Sequence, residues 1–286
     1  MGYSDLERIR LVKVGERTLR VAVRPGASPS PGGSPALLLC NGIGASLELL
    51  QPFVDRLDRR REVIRFDLPG IGGSPAPSVP YHLATLPGLL AGLLDELGHD
   101  VVDVLGISWG GGLAQQFAWR QPSRVRRLVL VATATGSLMV PAGPRVLAHM
   151  LTPRRYRDRD YAARVAPEIY GGSLREHPER ASLLLHAAVP VGPLHAAGPV
   201  GPRRGYYYQL LAGAGWTSLP VLPLIRQPTL VLAGDDDPII PLVNGRLMAA
   251  MIPRAHLHIY RGGHLELIAE PMRLVPAIES FLDEEL

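Results

Sequence analysis

The chain is short of several things, and each shortage excludes something. Among its 286 residues there is one cysteine, Cys40, so no intramolecular disulfide can form and the fold must stand on packing alone, as in a reducing compartment. Lysine is nearly missing: Lys13 is the only one, and arginine supplies the rest of a formal charge of +4. The arginines sit in short groups (Arg59 to Arg61; Arg124, Arg126 and Arg127; Arg154, Arg155, Arg157 and Arg159; Arg203 and Arg204), without the interleaved aromatics or the motif of a nucleic-acid module, so no nucleic-acid partner is expected. Continuous apolar stretches are also lacking. The uncharged runs 128–144, 181–202 and 205–225 are broken by Pro, Gly or polar residues, whereas a spanning helix needs about 20 mostly apolar residues in register. Charges in the opening MGYSDLERIRLVKVGE replace the apolar stretch of a secretory signal, and Leu6 breaks the myristoylation pattern. A cytoplasmic location and no transmembrane segment are expected.

What is present is a globular composition, 47% hydrophobic and 20% charged, enough for a sizeable core and incompatible with a disordered chain. Short apolar runs bounded by turn residues alternate with stretches of helical period, which predicts an α/β fold with a mostly parallel sheet. Eight strands are expected. An antiparallel pair at 9–14 and 18–23 is followed by buried strands at 36–40, 63–66, 101–105, 128–131, 229–232 and 257–260. Nearly 100 residues separate the runs at 128–131 and 229–232. No ordinary connection is that long, so the stretch reads as an inserted lobe. It is Arg-rich at first, then Pro/Gly/Ala-rich, then aromatic at Tyr206, Tyr207, Tyr208 and Trp216.

In an open α/β sheet, ligands bind at the loops leaving the carboxyl ends of the strands. After the run 101–105 stands Gly106-Ile107-Ser108-Trp109-Gly110, followed by a helical stretch. This strand, sharp turn and helix expose a serine hydroxyl, so Ser108 is the candidate nucleophile. An alcohol needs a base, and the base needs an acid to hold its tautomer. After the run 229–232 come Asp235-Asp236-Asp237-Pro238, of which Asp237, held extended by Pro238, is the candidate acid and Asp236 the reserve. Read as a metal site the three carboxylates are poor, because neighbours in a turn point apart and no other ligands are near. His264, behind Gly262-Gly263 after the last strand, is the candidate base. His256 and His258 form a His-x-His pair without further ligands. The oxyanion needs two backbone donors, expected from Trp109 and from Ile43 in the loop Asn41-Gly42-Ile43-Gly44. Cys40, inside a strand, reads as core. The glycine-rich Asp67 to Ser74 loop matches no phosphate-binding pattern, and no cofactor or metal is expected.

Together these segments resemble the α/β-hydrolase superfamily. Asn41-Gly42-Ile43-Gly44-Ala45, Leu113-Ala114-Gln115-Gln116-Phe117-Ala118, Pro153-Arg154-Arg155-Tyr156, Ile169-Tyr170-Gly171-Gly172, Gly215-Trp216-Thr217-Ser218 and Leu232-Ala233-Gly234-Asp235-Asp236-Asp237-Pro238 look like the intracellular poly(3-hydroxyalkanoate) depolymerases. The resemblance implies a serine hydrolase that cuts a stored polyester into 3-hydroxy acids or oligomers, with a granule surface as a partner. It implies an α/β-hydrolase core over 1–134 and 227–286 with an inserted helical cap over 135–226. Ser108, Asp237 and His264 fall on the family's triad. Asn41, Gly42, Trp216 and Tyr207 are the expected substrate-binding residues. One departure is the Pro/Gly/Ala-rich stretch 189–202, longer than the family leads one to expect. The runner-up is a small-ester, lactone or carbon–carbon bond hydrolase with the same apparatus; a non-catalytic granule protein on this fold is a second alternative. Monomer length, endo or exo cleavage and oligomeric state stay open.

Overall fold

Gly15, in the left-handed region at φ +57°, folds two alternating strands, β1 (Arg8–Val14) and β2 (Arg17–Arg24), into an antiparallel hairpin. The structure, a computed structural model, describes residues 7–27, 34–187 and 202–284. Six further strands follow: β3 (Leu37–Cys40), β4 (Val63–Phe66), β5 (Val102–Ile107), β6 (Val125–Val131), β7 (Thr229–Gly234) and β8 (Ala255–Tyr260). They form one eight-stranded sheet in the order β1-β2-β4-β3-β5-β6-β7-β8. β2 pairs antiparallel with β4, and all later pairs are parallel. The chain passes from β3 to β4 on one side and then to β5 on the other, so the loops after β3 and β5 diverge at a topological switch point, where such sheets bind ligands.

Two strands differ from the expectation for physical reasons. β6 starts at Val125, three residues before the apolar run, because the charges there are neutralised: Arg126 donates to both Asp103 carboxylate oxygens at 2.9 and 2.6 Å, and Arg127 lies 5.1 Å above the Phe281 ring. The last strand, expected to be buried, is an edge strand paired only with β7, and His256 and Ile259 on it are exposed. Its two histidines stay apart from other ligands: among the described residues no three His, Cys, Asp or Glu side chains cluster to hold a metal.

Between β6 and β7 lie the helices Pro144–Met150, Arg159–Ile169, Ser173–Glu176, Pro178–Ala187 and Pro202–Gly213. Asp158 caps the second of these, accepting from Tyr161 N–H at 2.9 Å. Their buried residues are continuous with the sheet's core. Val146, Ala162, Ile169 and Leu185 pack in one cluster with Leu37, Phe53, Leu267 and Ile268, so the insertion is bound to the sheet through shared apolar burial. The long Pro/Gly/Ala-rich stretch lies, up to residue 201, outside the described residues. No helix among the described residues is long and apolar enough to cross a membrane.

Candidate active site

β5 ends at Ile107 and the helix Trp109–Arg120 begins at once, so the whole turn rests on Ser108. Its backbone sits at φ 55° and ψ −122°, a conformation that costs a non-glycine residue about 1–3 kcal/mol. The flanking glycines make the turn possible. A Cβ on Gly106 would lie 2.4 Å from the Gly110 carbonyl oxygen, and one on Gly110 would lie 2.1 Å from that of Cys40. The end of β6 and the residues just past it hold the strain: Ser108 N–H donates to the Val131 carbonyl at 3.0 Å, and the Thr133 hydroxyl donates to the Ser108 carbonyl at 2.7 Å. Thr133 was not singled out from the sequence, although its place just past the end of β6 is a signal that could have found it.

The three adjacent carboxylates after β7 point three ways. Asp235 accepts from Gly262 N–H at 2.9 Å. Asp236 takes Gly172 N–H at 2.7 Å and Arg175 at 2.7 and 3.1 Å; burial alone would raise its carboxyl, but these donors hold it below the usual carboxylate range. Only Asp237 faces the histidine. Its Oδ1 accepts the amides of Ile239 and Ile240, each at 2.9 Å, and its Oδ2 accepts from His264 Nδ1 at 2.8 Å. Carboxylate oxygens only accept, so the bond fixes the proton on Nδ1 and leaves Nε2 as an acceptor, 2.9 Å from Ser108 Oγ. Cys40 beside this site is fully buried and its thiol is pushed up to about 12, so it offers no thiolate.

In the loop after β3 the amides are unequally engaged. Gly42 N–H donates to Asn41 Oδ1 at 2.8 Å and Gly44 N–H to Gln209 Oε1 at 2.6 Å. The amides of Ile43 and Trp109 have no acceptor among the described residues. The insertion grips this loop from above. Tyr156 donates its hydroxyl to the Ile43 carbonyl at 2.8 Å, and Gln209 also accepts Trp109 Nε1–H on its backbone carbonyl at 3.0 Å. Gln209 therefore joins the loop after β3 to the turn after β5, a link without any motif to announce it.

Ser108 borders two cavities. One, about 220 Å³, is apolar and lined by Trp109, Met139, Leu147, Trp216 and Ile240, among others. The other is narrow, about 20 Å³, and is lined by Asn41, Gly42, Arg155, Tyr156, Tyr170 and His264, among others. Of the residues expected to contact substrate, Asn41 and Gly42 line the narrow cavity and Trp216 the wide one, with Trp216 Nε1 held on Gln116 Oε1 at 2.9 Å. Tyr207 is 42% exposed and lines neither cavity; the neighbouring Tyr206, wholly buried, turns inward instead and packs on Gly44.

A model of the alpha/beta hydrolase fold family matches residues 35–271. The chain is 50% identical over 276 residues to a poly(3-hydroxyalkanoate) depolymerase of Ectopseudomonas oleovorans, covering 96% of this chain and 93% of that protein. It is 32% identical over 278 residues to a 2-hydroxymuconate semialdehyde hydrolase of Pseudomonas putida, covering 95% of each. Among solved structures, the enol-lactonase from Burkholderia xenovorans LB400 superposes with a TM-score of 0.77 at 24% identity, over 96% of this chain and all (100%) of that one, a likeness of fold.

Proposed function

The chain is a hydrolase that belongs to the alpha/beta hydrolase family, and we propose that it hydrolyses carboxylic esters through Ser108, with a poly(3-hydroxyalkanoate) as the substrate. The observation that carries this reading is the relay from Asp237 through His264 to Ser108, with bonds of 2.8 and 2.9 Å, set beneath two uncommitted amides. Ser108 Oγ attacks the ester carbonyl carbon while His264 Nε2 takes its proton, and Asp237 steadies the imidazolium that results. The oxyanion is held by the amides of Ile43 and Trp109, donors of a kind whose single removal typically costs about 10²–10³ in turnover. Collapse expels the alcohol, which His264 protonates; His264 then activates the water that frees the acid. The scheme needs no cofactor.

In this reading residues 135–226 are a cap over a core of 1–134 and 227–286. The 220 Å³ apolar cavity beneath it takes the alkyl-bearing part of the substrate. The half-sequence identity to the depolymerase supports the polyester. Exposed Leu138, Leu151, Leu183 and Leu211 on the cap support contact with a hydrophobic granule in the cytoplasm. The full-length likeness to a semialdehyde hydrolase keeps a small-molecule ester or carbon–carbon bond hydrolase as the second reading. Release of 3-hydroxy acids from amorphous poly(3-hydroxyalkanoate) suspensions, abolished in Ser108→Ala, tests the proposal. Turnover of p-nitrophenyl esters with nothing released from polymer would support the second reading instead.

A further inference from the structure

Among the described residues, most buried arginines have an anion. Arg20 meets Asp67 and Glu48, Arg61 meets Asp103 and Asp283, and Arg65 meets Glu7. Arg24 lacks one, but both its terminal nitrogens donate to carbonyls, those of Val54, Leu57, Asp58 and Arg61. Arg155 is different. It is 1% exposed, and its Nη1 alone is bonded, to the Thr152 carbonyl at 3.2 Å and the Tyr206 hydroxyl at 3.0 Å. The faces of Tyr156 and Tyr206 lie 4.6 and 5.4 Å from its Cζ. Its Nε is buried without a partner, as is the Nε of Arg20, Arg24, Arg61, Arg65 and Arg127, and the buried hydroxyl of Tyr170 has Arg155 beside it. A guanidinium does not give up its proton in a protein, and a buried charge offset only by neutral dipoles and ring faces is costly.

Arg155 and Tyr170 line the narrow cavity together with Ser108 and His264. Its volume of about 20 Å³ is too small for an alkyl chain; Leu49, Ile107, Met150, Leu265 and Ile268 line part of it, and Arg155 and Tyr170 supply polar groups to the rest. Burial pushes the Tyr170 phenol up, so at neutral pH it is a donor beside a second, charged donor. We propose that Arg155 and Tyr170 form a carboxylate subsite on the leaving-group side of Ser108, through which the enzyme takes ester oligomers by their free carboxyl end.

The placement follows from the connectivity of a hydroxy-acid ester, and it rests on Ser108 being the nucleophile. In such an oligomer the acyl carbonyl is the group attacked, so the only free carboxylate belongs to the terminal unit, on the alcohol side and a few bonds from the scissile carbonyl. Ser108 Oγ bonds to the acyl carbon as that carbon's bond to the alkoxy oxygen breaks. The proton taken by His264 passes to the departing oxygen, and the released 3-hydroxy acid leaves with its carboxylate still ionised. The alkyl-bearing acyl part occupies the wide cavity.

The test compares the full-length enzyme on a 3-hydroxyoctanoate dimer with a free carboxylate and on the methyl ester of the same dimer. A charge-assisted contact predicts a kcat/KM about 10- to 100-fold higher for the free acid. In Arg155→Met that ratio is expected to fall at least tenfold. If the variant does not fold, inhibition of p-nitrophenyl butyrate hydrolysis by 3-hydroxyoctanoate against its methyl ester, measured on the wild type, gives the same contrast. Equal kcat/KM for acid and methyl ester in an enzyme that cleaves p-nitrophenyl butyrate would overturn the subsite alone, as would a preference unchanged in folded Arg155→Met. Turnover of p-nitrophenyl butyrate undiminished in Ser108→Ala would overturn the serine reading beneath it.

Discussion

The backbone amide of His264 donates to the carbonyl of Tyr170 at 2.8 Å, so the loop carrying the base hangs on the insertion. The next two residues close the joint. A Cβ on Gly171 would stand 2.0 Å from the Asp236 carbonyl oxygen, and one on Gly172 2.1 Å from the Gly263 nitrogen, with both glycines at positive φ. Gly172→Ala is therefore expected to move the histidine loop. The Tm should fall by about 5 °C or more and kcat on p-nitrophenyl butyrate by about a hundredfold. Thermal melts with steady-state kinetics check this; a variant with wild-type kcat would show that the joint does not position the base.

Ser108 bears both the nucleophile and the strain, and two substitutions separate them. Ser108→Ala and Ser108→Gly should each lose about 10³-fold or more in turnover. Glycine alone relieves the positive φ, so Ser108→Gly should be the more stable by about 1–2 kcal/mol in urea unfolding. Equal stabilities would mean that the turn is not strained.

Which parts were legible in the sequence follows from how far each signal reaches. The strands announced themselves as local apolar runs, and Ser108, Asp237 and His264 each sit next to a strand end with the residues their turns require. Long-range commitments are silent. Nothing in Gly205-Tyr206-Tyr207-Tyr208 tells which ring turns inward, because successive helical side chains point about 100° apart and the three residues are alike. Nothing in a run of basic residues shows that Arg126 is neutralised on β5 or that Arg155 is sealed in without an anion. The segment Tyr170-Gly171-Gly172 could be matched as a pattern, but its reason, the close approach of two other loops, exists only in three dimensions.

Tyr156 holds the Ile43 carbonyl and so steadies the residue whose own amide faces the oxyanion. Tyr156→Phe should lower kcat about five- to tenfold with little change in KM, the pattern of an interaction felt in the transition state. A change confined to KM would assign Tyr156 to substrate fit instead.

Leu147 lines the wide cavity from a half-open position on its helix, so a larger side chain there should fill space without unfolding the protein. Leu147→Trp is expected to lower kcat/KM for p-nitrophenyl octanoate at least tenfold relative to the acetate. An unchanged chain-length profile would place the acyl chain elsewhere.

Asp67 is buried beside Arg20, and burial, resisted by the Gly73 and Leu47 amides and by Arg20, pushes its carboxyl up to about 6 from an ordinary 3.8. Between those values the folded state binds more protons than the unfolded one, so stability from this group is full below about pH 4 and declines as pH rises through 6. The stability of Asp67→Asn relative to wild type should therefore climb between pH 4 and 6.5 in denaturant titrations. A flat difference would exclude the raised carboxyl.

Tyr156, Tyr170 and Gln209 all belong to the insertion, and between them they touch the loop after β3, the turn at Trp109 and the histidine loop. Grafting this stretch from one relative to another would consequently transmit speed along with taste for substrate, since the two are inherited through the same few bonds. Chimeras that keep the recipient's own versions of those three anchors should be the ones that survive the exchange.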